Sequence, residues 1–221
     1  MNDFSIHTAD LFDCKVPYLT DFFASYEYPW QMLPNIKALI SKILENGIEG
    51  YSLISADVLV GENVIISPKA EICGPAIIGS NTELRPGAYL RGNVITGENC
   101  VIGNSCEVKN SILLDNVQVP HFNYVGDSVL GNGSHLGAGS VCSNLKNDGK
   151  NIVIHYGDGI STGLRKIGAV LADGVNVGCG CVLNPGTVIG KNTSVYPMVA
   201  VRGVISSDKI VKSADCIAER I

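Results

Sequence analysis

Ten of the twelve residues that fall six apart from Ile54 to Pro120 are Ile, Val or Leu, a beat that few folds can satisfy. The positions are Ile54, Val60, Ile66, Ile72, Ile78, Leu84, Leu90, Thr96, Ile102, Val108, Leu114 and Pro120, with Thr96 and Pro120 the exceptions. A helix repeats about every 3.6 residues and a strand alternates in twos, so neither keeps an aliphatic side chain at every sixth place. A chain that turns a corner every hexad does. Each hexad then supplies a short strand and a turn, and three hexads close one triangular coil of a parallel β-helix.

The turn residues agree. Gly61-Glu62-Asn63, Ser67-Pro68, Gly79-Ser80-Asn81, Arg85-Pro86-Gly87, Gly97-Glu98-Asn99 and Gly103-Asn104 fall between the beats. Gly and Asn tolerate positive φ and Pro presets a turn, so frequent corners cost little strain. The beat resumes with slips at Val125, Leu130, Leu136 and Cys142, then at Leu171, Val177, Leu183, Ile189, Val195 and Val201. Phase is read as lost at Pro120. A β-sandwich would instead alternate in twos between hairpins of variable length.

The 221 residues suffice for one domain plus a small appendage. A net charge of −5 with no Lys/Arg run argues against a nucleic-acid surface. No stretch approaches the roughly 20 apolar residues of a membrane span, and the N-terminus lacks the basic and apolar regions of a signal peptide. Six of the eight cysteines (Cys73, Cys100, Cys106, Cys142, Cys179 and Cys181) fall inside the repeat, where they read as small apolar fillers. Cys179-Gly180-Cys181 alone is weak evidence for metal, so no metal site is expected, and the predicted setting is a reduced cytoplasm.

Residues 1–50 leave the beat. Leu33, Ile36, Leu39, Ile40, Ile43 and Leu44 have one-sided helical spacing, with Pro34 suited to a first turn and Gly47 to an end. A short N-terminal helical segment beside the first coils is predicted, covering an open end or an edge. Residues 51–205 form the β-helix, interrupted by a polar excursion at 143–169. There Lys146, Asp148, Lys150, His155, Asp158, Arg165 and Lys166 crowd among five glycines. Asn151 to Tyr156 followed by Gly157-Asp158-Gly159 predicts a small hairpin. A polar departure from a regular scaffold is a candidate site. Residues 206–221 are a tail, with a helix expected from Ser213 to Arg220.

His121 follows Pro120 directly, with Tyr124 and Asp127 close behind. Imidazole suits general-base work near neutral pH, although a single histidine is more often an ordinary surface residue. Gly137-Ala138-Gly139 would let a flat ligand approach closely, or simply turn the chain.

Taken together, the hexads, HFNYVGD (121–127), LGAGSVCSN (136–144), Leu84-Arg85-Pro86-Gly87-Ala88 and Glu107-Val108-Lys109 resemble a known family. It is the left-handed β-helix acetyltransferase domain of the bifunctional sugar-1-phosphate nucleotidylyltransferase/glucosamine-1-phosphate N-acetyltransferases, the archaeal type above all. The five-residue step from Val125 to Leu130 and the excursion also match, over roughly residues 50–205. The resemblance implies acetyl-CoA-dependent N-acetylation of an amino-sugar 1-phosphate, glucosamine- or galactosamine-1-phosphate, by direct transfer. His121 would be the base, Arg85 and Lys109 would hold the phosphate, and Tyr124, His135, Asn144 and Lys150 would face the sugar and acetyl group. Ala138, Asn144, Leu145, Cys179 and Pro197 would lie along acetyl-CoA, and a backbone N–H near Asn144 would steady the oxyanion.

Four positions depart from the pattern. His135 stands where the bacterial proteins have Asn, Leu145 replaces a Tyr, and Cys179 and Pro197 replace other residues near CoA. Nothing in residues 1–50 offers a Gly-rich nucleotide loop, so nucleotidyl transfer is not expected of this chain alone. The resemblance further implies a homotrimer with sites between subunits, serving amino-sugar nucleotide (UDP-N-acetylglucosamine) synthesis with a separate nucleotidyltransferase. The alternative is a non-catalytic trimeric module that binds a sugar nucleotide or assembles with such a partner. A zinc enzyme of the γ-carbonic-anhydrase type is disfavoured, because His121, His135 and His155 lack its ligand spacing.

Overall fold

The computed structural model describes residues 4–220. Short strands stack into three sheets of nine, nine and seven strands, the faces of a triangular prism, parallel throughout except for the antiparallel end strands Ser52–Ser55 and Cys216–Glu219. Successive strands of one coil belong to different faces, so Ala76–Ile78 lies on the first, Glu83–Leu84 on the second and Tyr89–Arg91 on the third. This is the parallel β-helix that the beat predicts. The inward columns are aliphatic: Val60, Ile78, Thr96, Leu113, Leu130, Leu171 and Ile189 stack on the first face. Thr96 is tolerated there because its hydroxyl accepts the Gly79 N–H at 2.9 Å.

Register corrects the expected phase. Leu113, not Leu114, pairs with Thr96, and Val119, not Pro120, pairs with Ile102. The slip therefore comes before His121. Arg91 and Val94 are separated by Gly92 and Asn93, whereas Asn110 alone separates Lys109 from Ser111. The same shortening recurs at Asp127, between Tyr124–Gly126 and Val129–Leu130. Asn110 and Asp127 both adopt the left-handed conformation, at φ 46° and 48°.

The first face is buried on both sides. Its outward column of Ile77, Ile95, Ile112, Val129, Val170 and Val188 is fully enclosed. The cover is the N-terminal segment: α1 (Thr8–Leu11), α2 (Pro17–Ala24), a 3-10 turn (Pro29–Asn35) and α3 (Ile36–Asn46), which ends at Gly47 with φ 72°. Leu11, Leu19, Trp30, Met32, Leu33, Ile36 and Ile40 are buried with the prism in one apolar cluster. Polar ties fix the alignment. Tyr18 Oη donates to Thr96 O, Asn132 Nδ2 to Asp13 O and Asp173 N to Leu11 O. The segment thus runs along a whole face, well past the first coils. Each enclosed outward aliphatic contributes about 1.5–3 kcal/mol.

The excursion contains the expected hairpin, Val153–Ile154 paired with Ile160–Ser161. Its buried Ile152 and Ile154 sit over Gly186, where a Cβ would meet Ile152 at 2.6 Å. The tail is not the expected helix. Lys209–Ser213 and Cys216–Glu219 form an antiparallel hairpin that continues the second face. The β-branched run at Ile210-Val211 pairs well with Ser194-Val195, and sheet continuation overrides the helical reading. No helix among the described residues is long and apolar enough to cross a membrane.

Candidate active site

The two short corners build a polar cluster. Lys109 closes one third-face strand, and Asn110 and Asp127 turn successive corners, so their side chains emerge one above the other. Asp127 is 6% exposed. Its Oδ1 accepts Asn110 Nδ2 at 2.8 Å, its Oδ2 accepts Asn144 Nδ2 at 2.5 Å, and Lys109 Nζ lies 3.6 Å from Oδ2. Asn144 Nδ2 also donates to Tyr124 Oη at 3.1 Å. Burial above all, then the Asp127 and Glu107 charges, raises the Tyr124 phenol pKa, so the hydroxyl keeps its proton at neutral pH.

The excursion is anchored to the same cluster. Ile167 N donates to Asn144 O and Gly168 N to Asp127 O, so the loop leaves and rejoins the prism at the carboxylate. Its root, together with Leu33 and Pro34 of the 3-10 turn, walls a cleft of about 590 Å³ over Asn110 and Asp127. Leu145, Leu164, Arg165 and Lys166 complete that wall. A second cleft of about 600 Å³ lies on the other side of Leu145, between Lys146, His155, Asn184 and Arg202.

A different set occupies the corner between the second and third faces. His121, Ala138, Cys179 and Pro197 stack coil upon coil there, since Gly139 N, Gly180 N and Met198 N donate to His121 O, Ala138 O and Cys179 O. The His121 side chain is exposed and makes no hydrogen bond or ion pair among the described residues. Its backbone is fixed by Asn123, whose buried Oδ1 accepts His121 N–H at 3.1 Å and whose Nδ2 donates to Gly137 O and Ser140 O. The next step in each coil has positive φ: Phe122, Gly139, Gly180 and Met198. The two central glycines leave a low strip between Phe122 and Met198, which are 63% and 81% exposed.

Of the expected site residues, Lys109, Tyr124 and Asn144 are thus brought into one network, and His121, Ala138, Cys179 and Pro197 into one column. Arg85 lies two coils before His121 and pairs with Glu83 at 3.1 Å. His135 Nδ1 is 3.0 Å from Asn176 Oδ1 on the second face. Lys150 sits on the excursion, its N–H bonded to Asp148. Leu145 bridges to Lys166 and is 41% exposed, between the two clefts. Asn110 is not singled out by the sequence, and Asp127, Arg165 and Lys166, though they stand in the motif and the polar excursion, are given no role by it. The signal for Asp127 lay in its spacing, because Asn110, Asp127 and Asn144 follow at the 17-residue period of the short coils. Among the described residues no group of His, Cys, Asp and Glu is disposed to hold a metal ion.

The thiols divide sharply. Burial pushes Cys100 and Cys142 up to about 12 and half-buried Cys14 up to about 11, whereas Cys73, Cys179 and Cys216 are exposed. Because the thiolate is the reacting form, an aromatic disulfide reagent should titrate those three quickly in the native protein. All eight should react in denaturant. A native count that included Cys142 would contradict this packing.

A family model described as the GMPPB C-terminal domain matches residues 72–162. The Bifunctional protein GlmU of Methanocaldococcus jannaschii is 32% identical over 190 residues, covering 85% of this chain and 47% of that protein. The Bifunctional sugar-1-phosphate nucleotidylyltransferase/acetyltransferase of Sulfurisphaera tokodaii is 33% identical over 174 residues, covering 76% and 43%. Among solved structures, a point mutant of AntD, an N-acyltransferase from Bacillus cereus in complex with dTDP and coenzyme A, has a TM-score of 0.43 at 20% identity, over 72% of this chain and 82% of that one. The chain spans about half the length of the curated relatives it matches, and over that half it is about one-third identical to GlmU-type bifunctional proteins.

Proposed function

We propose that this chain is an acetyl-CoA-dependent N-acetyltransferase acting on an amino-sugar 1-phosphate, glucosamine- or galactosamine-1-phosphate. The observation that carries the reading is the pairing of two arrangements a few residues apart. An exposed histidine heads the column of Ala138, Cys179 and Pro197, and the Lys109–Asp127–Asn144–Tyr124 network flanks it in the chain. The Sulfurisphaera tokodaii relative, a sugar-1-phosphate nucleotidylyltransferase/acetyltransferase by name, supports acetyl transfer as the chemistry.

In the proposed reaction His121 takes a proton as the sugar amine attacks the thioester carbonyl. The tetrahedral oxyanion is steadied by a backbone N–H near Asn144. The C–S bond then breaks, the amide forms, and the imidazolium returns its proton to the departing CoA thiolate. Lys109 supplies a cation for the phosphate, and Arg85 would reach it by leaving Glu83, an exchange that costs little for a partly exposed pair. Tyr124 and Asn144 contact the sugar. Acetyl-CoA follows the low strip beside Ala138, Gly139 and Gly180. We assign the active unit to a homotrimer, with exposed Phe122, Tyr196 and Met198 supporting contact between copies at this corner.

The test is release of CoA thiol from acetyl-CoA on addition of each amino-sugar phosphate, with the acetylated sugar identified by mass. In parallel, acetyl-CoA should slow labelling of Cys179 but not of Cys73 or Cys216. No turnover with any amino-sugar phosphate would favour a binding module instead.

A further inference from the structure

The polarity of the network around Asp127 has a chemical consequence. A carboxylate only accepts hydrogen bonds, so the Asn144 atom beside it must be the amide nitrogen, whichever way the amide would otherwise turn. Both amide hydrogens are then spent, one on Asp127 Oδ2 and one on Tyr124 Oη. Two groups are left with defined roles. Asn144 Oδ1 makes no hydrogen bond among the described residues and is an acceptor. The Tyr124 hydroxyl already accepts from Asn144 and keeps its proton to donate.

We infer that Asp127 is a positioning residue that sets this donor and acceptor order, so that the site presents the Asn144 carbonyl to a hydroxyl or amine and the Tyr124 O–H to an oxygen. The substrate class this favours is a sugar with a donor and an acceptor on neighbouring positions, as an amino sugar with an adjacent hydroxyl offers. The inference rests on the acetyltransferase reading for its substrate, but the ordering itself belongs to the unliganded protein.

Three features make Asp127 the organiser rather than a bystander. It accepts hydrogen bonds from Asn110 and Asn144, one on each oxygen, and is paired with the Lys109 ammonium at 3.6 Å. It is buried at a corner shortened by one residue, so its side chain has little room to swing. Gly126 supplies the space beside it: a Cβ there would stand 2.4 Å from Tyr124 Oη and 2.7 Å from Asn144 Nδ2. An isosteric Asn at 127 would keep one acceptor oxygen and turn a second donor towards donors. The Asn144 amide would then be free to flip.

The experiment is a cycle of Asp127→Asn, Asn144→Ala and the double variant. Asp127→Asn should raise KM for the amino-sugar phosphate about tenfold, with kcat and the KM for acetyl-CoA changed less than about threefold. The double variant should lose no more than Asn144→Ala alone, because Asp127 acts through Asn144. Additive losses, or equal damage to both substrates, would overturn the inference in favour of a structural role. The wild type gives a second reading that needs no variant. Both Asn144 side-chain amide protons should be protected from exchange, and rapid exchange of both would also refute the ordering. If the wild type transfers no acetyl group, the substrate reading fails, while the amide exchange still decides the ordering.

Discussion

Replacing His121 with Ala should lower kcat for acetyl transfer by about a hundredfold to ten-thousandfold, the usual contribution of a positioned general base. The amine must be neutral to attack, and the transition state is reached as its proton leaves. With no imidazole to receive that proton, it passes to water. Binding and folding should be nearly untouched. The side chain is exposed, and what fixes this corner is the His121 N–H donated to Asn123, which alanine retains. Acetyl-CoA affinity, read from Cys179 protection, should stay within about twofold, because the column of Ala138, Cys179 and Pro197 does not depend on the imidazole. The melting temperature should move by only a degree or two, as surface changes usually cost within about 0.5 kcal/mol. Undiminished transfer by His121→Ala would leave the enzyme standing but remove its assigned base.

The beat made the prism legible because the inward columns are nearly pure aliphatic, and Ile66, Ile72, Ile78, Leu84 and Leu90 each keep their place. It failed by one residue after Lys109 for a simple reason. Leu113 and Leu114 are both aliphatic, so the spacing fits either, and only the hydrogen-bonded register chooses. That one-residue error moved the apparent break from Asn110 to Pro120, and with it the polar cluster out of view. The doublets Ile77-Ile78, Val129-Leu130, Val170-Leu171 and Val188-Ile189 carried a second message. A strand aliphatic on both sides is covered on both sides, and the covering segment was the N-terminal one. His135 and Lys150 illustrate the limit. Motif position places a residue in a coil, but the neighbour that takes its side chain, Asn176 for His135, lies 41 residues away across the excursion.

Gly168→Ala should be strongly damaging for a change of a single methyl group. Gly168 is where the excursion rejoins the prism, and its N–H donates to Asp127 O at 2.7 Å while its carbonyl accepts Gly186 N–H at 2.9 Å. It is thus held on both sides. A Cβ would lie 2.1 Å from Gly126 O and 2.3 Å from Ser128 Oγ. Neither can yield cheaply, because Ser128 Oγ donates to Gly126 O and accepts Ala169 N–H. Relief requires the rejoining strand to back away from Asp127. The expected loss is about 3 kcal/mol or more, from overpacking and broken ladder bonds together. At about 2–4 °C per kcal/mol for a chain of this size, the melting temperature should fall by roughly 10 °C. Gly133→Ala is the matched comparison, since φ there is +65° but nothing lies within 4 Å of the new methyl. It incurs only the left-handed backbone penalty, about 1–2 kcal/mol. Thermal melts of the two variants therefore separate contact from conformation. If Gly133→Ala proved the costlier, close approach at the excursion root would not be what secures the Asp127 cluster.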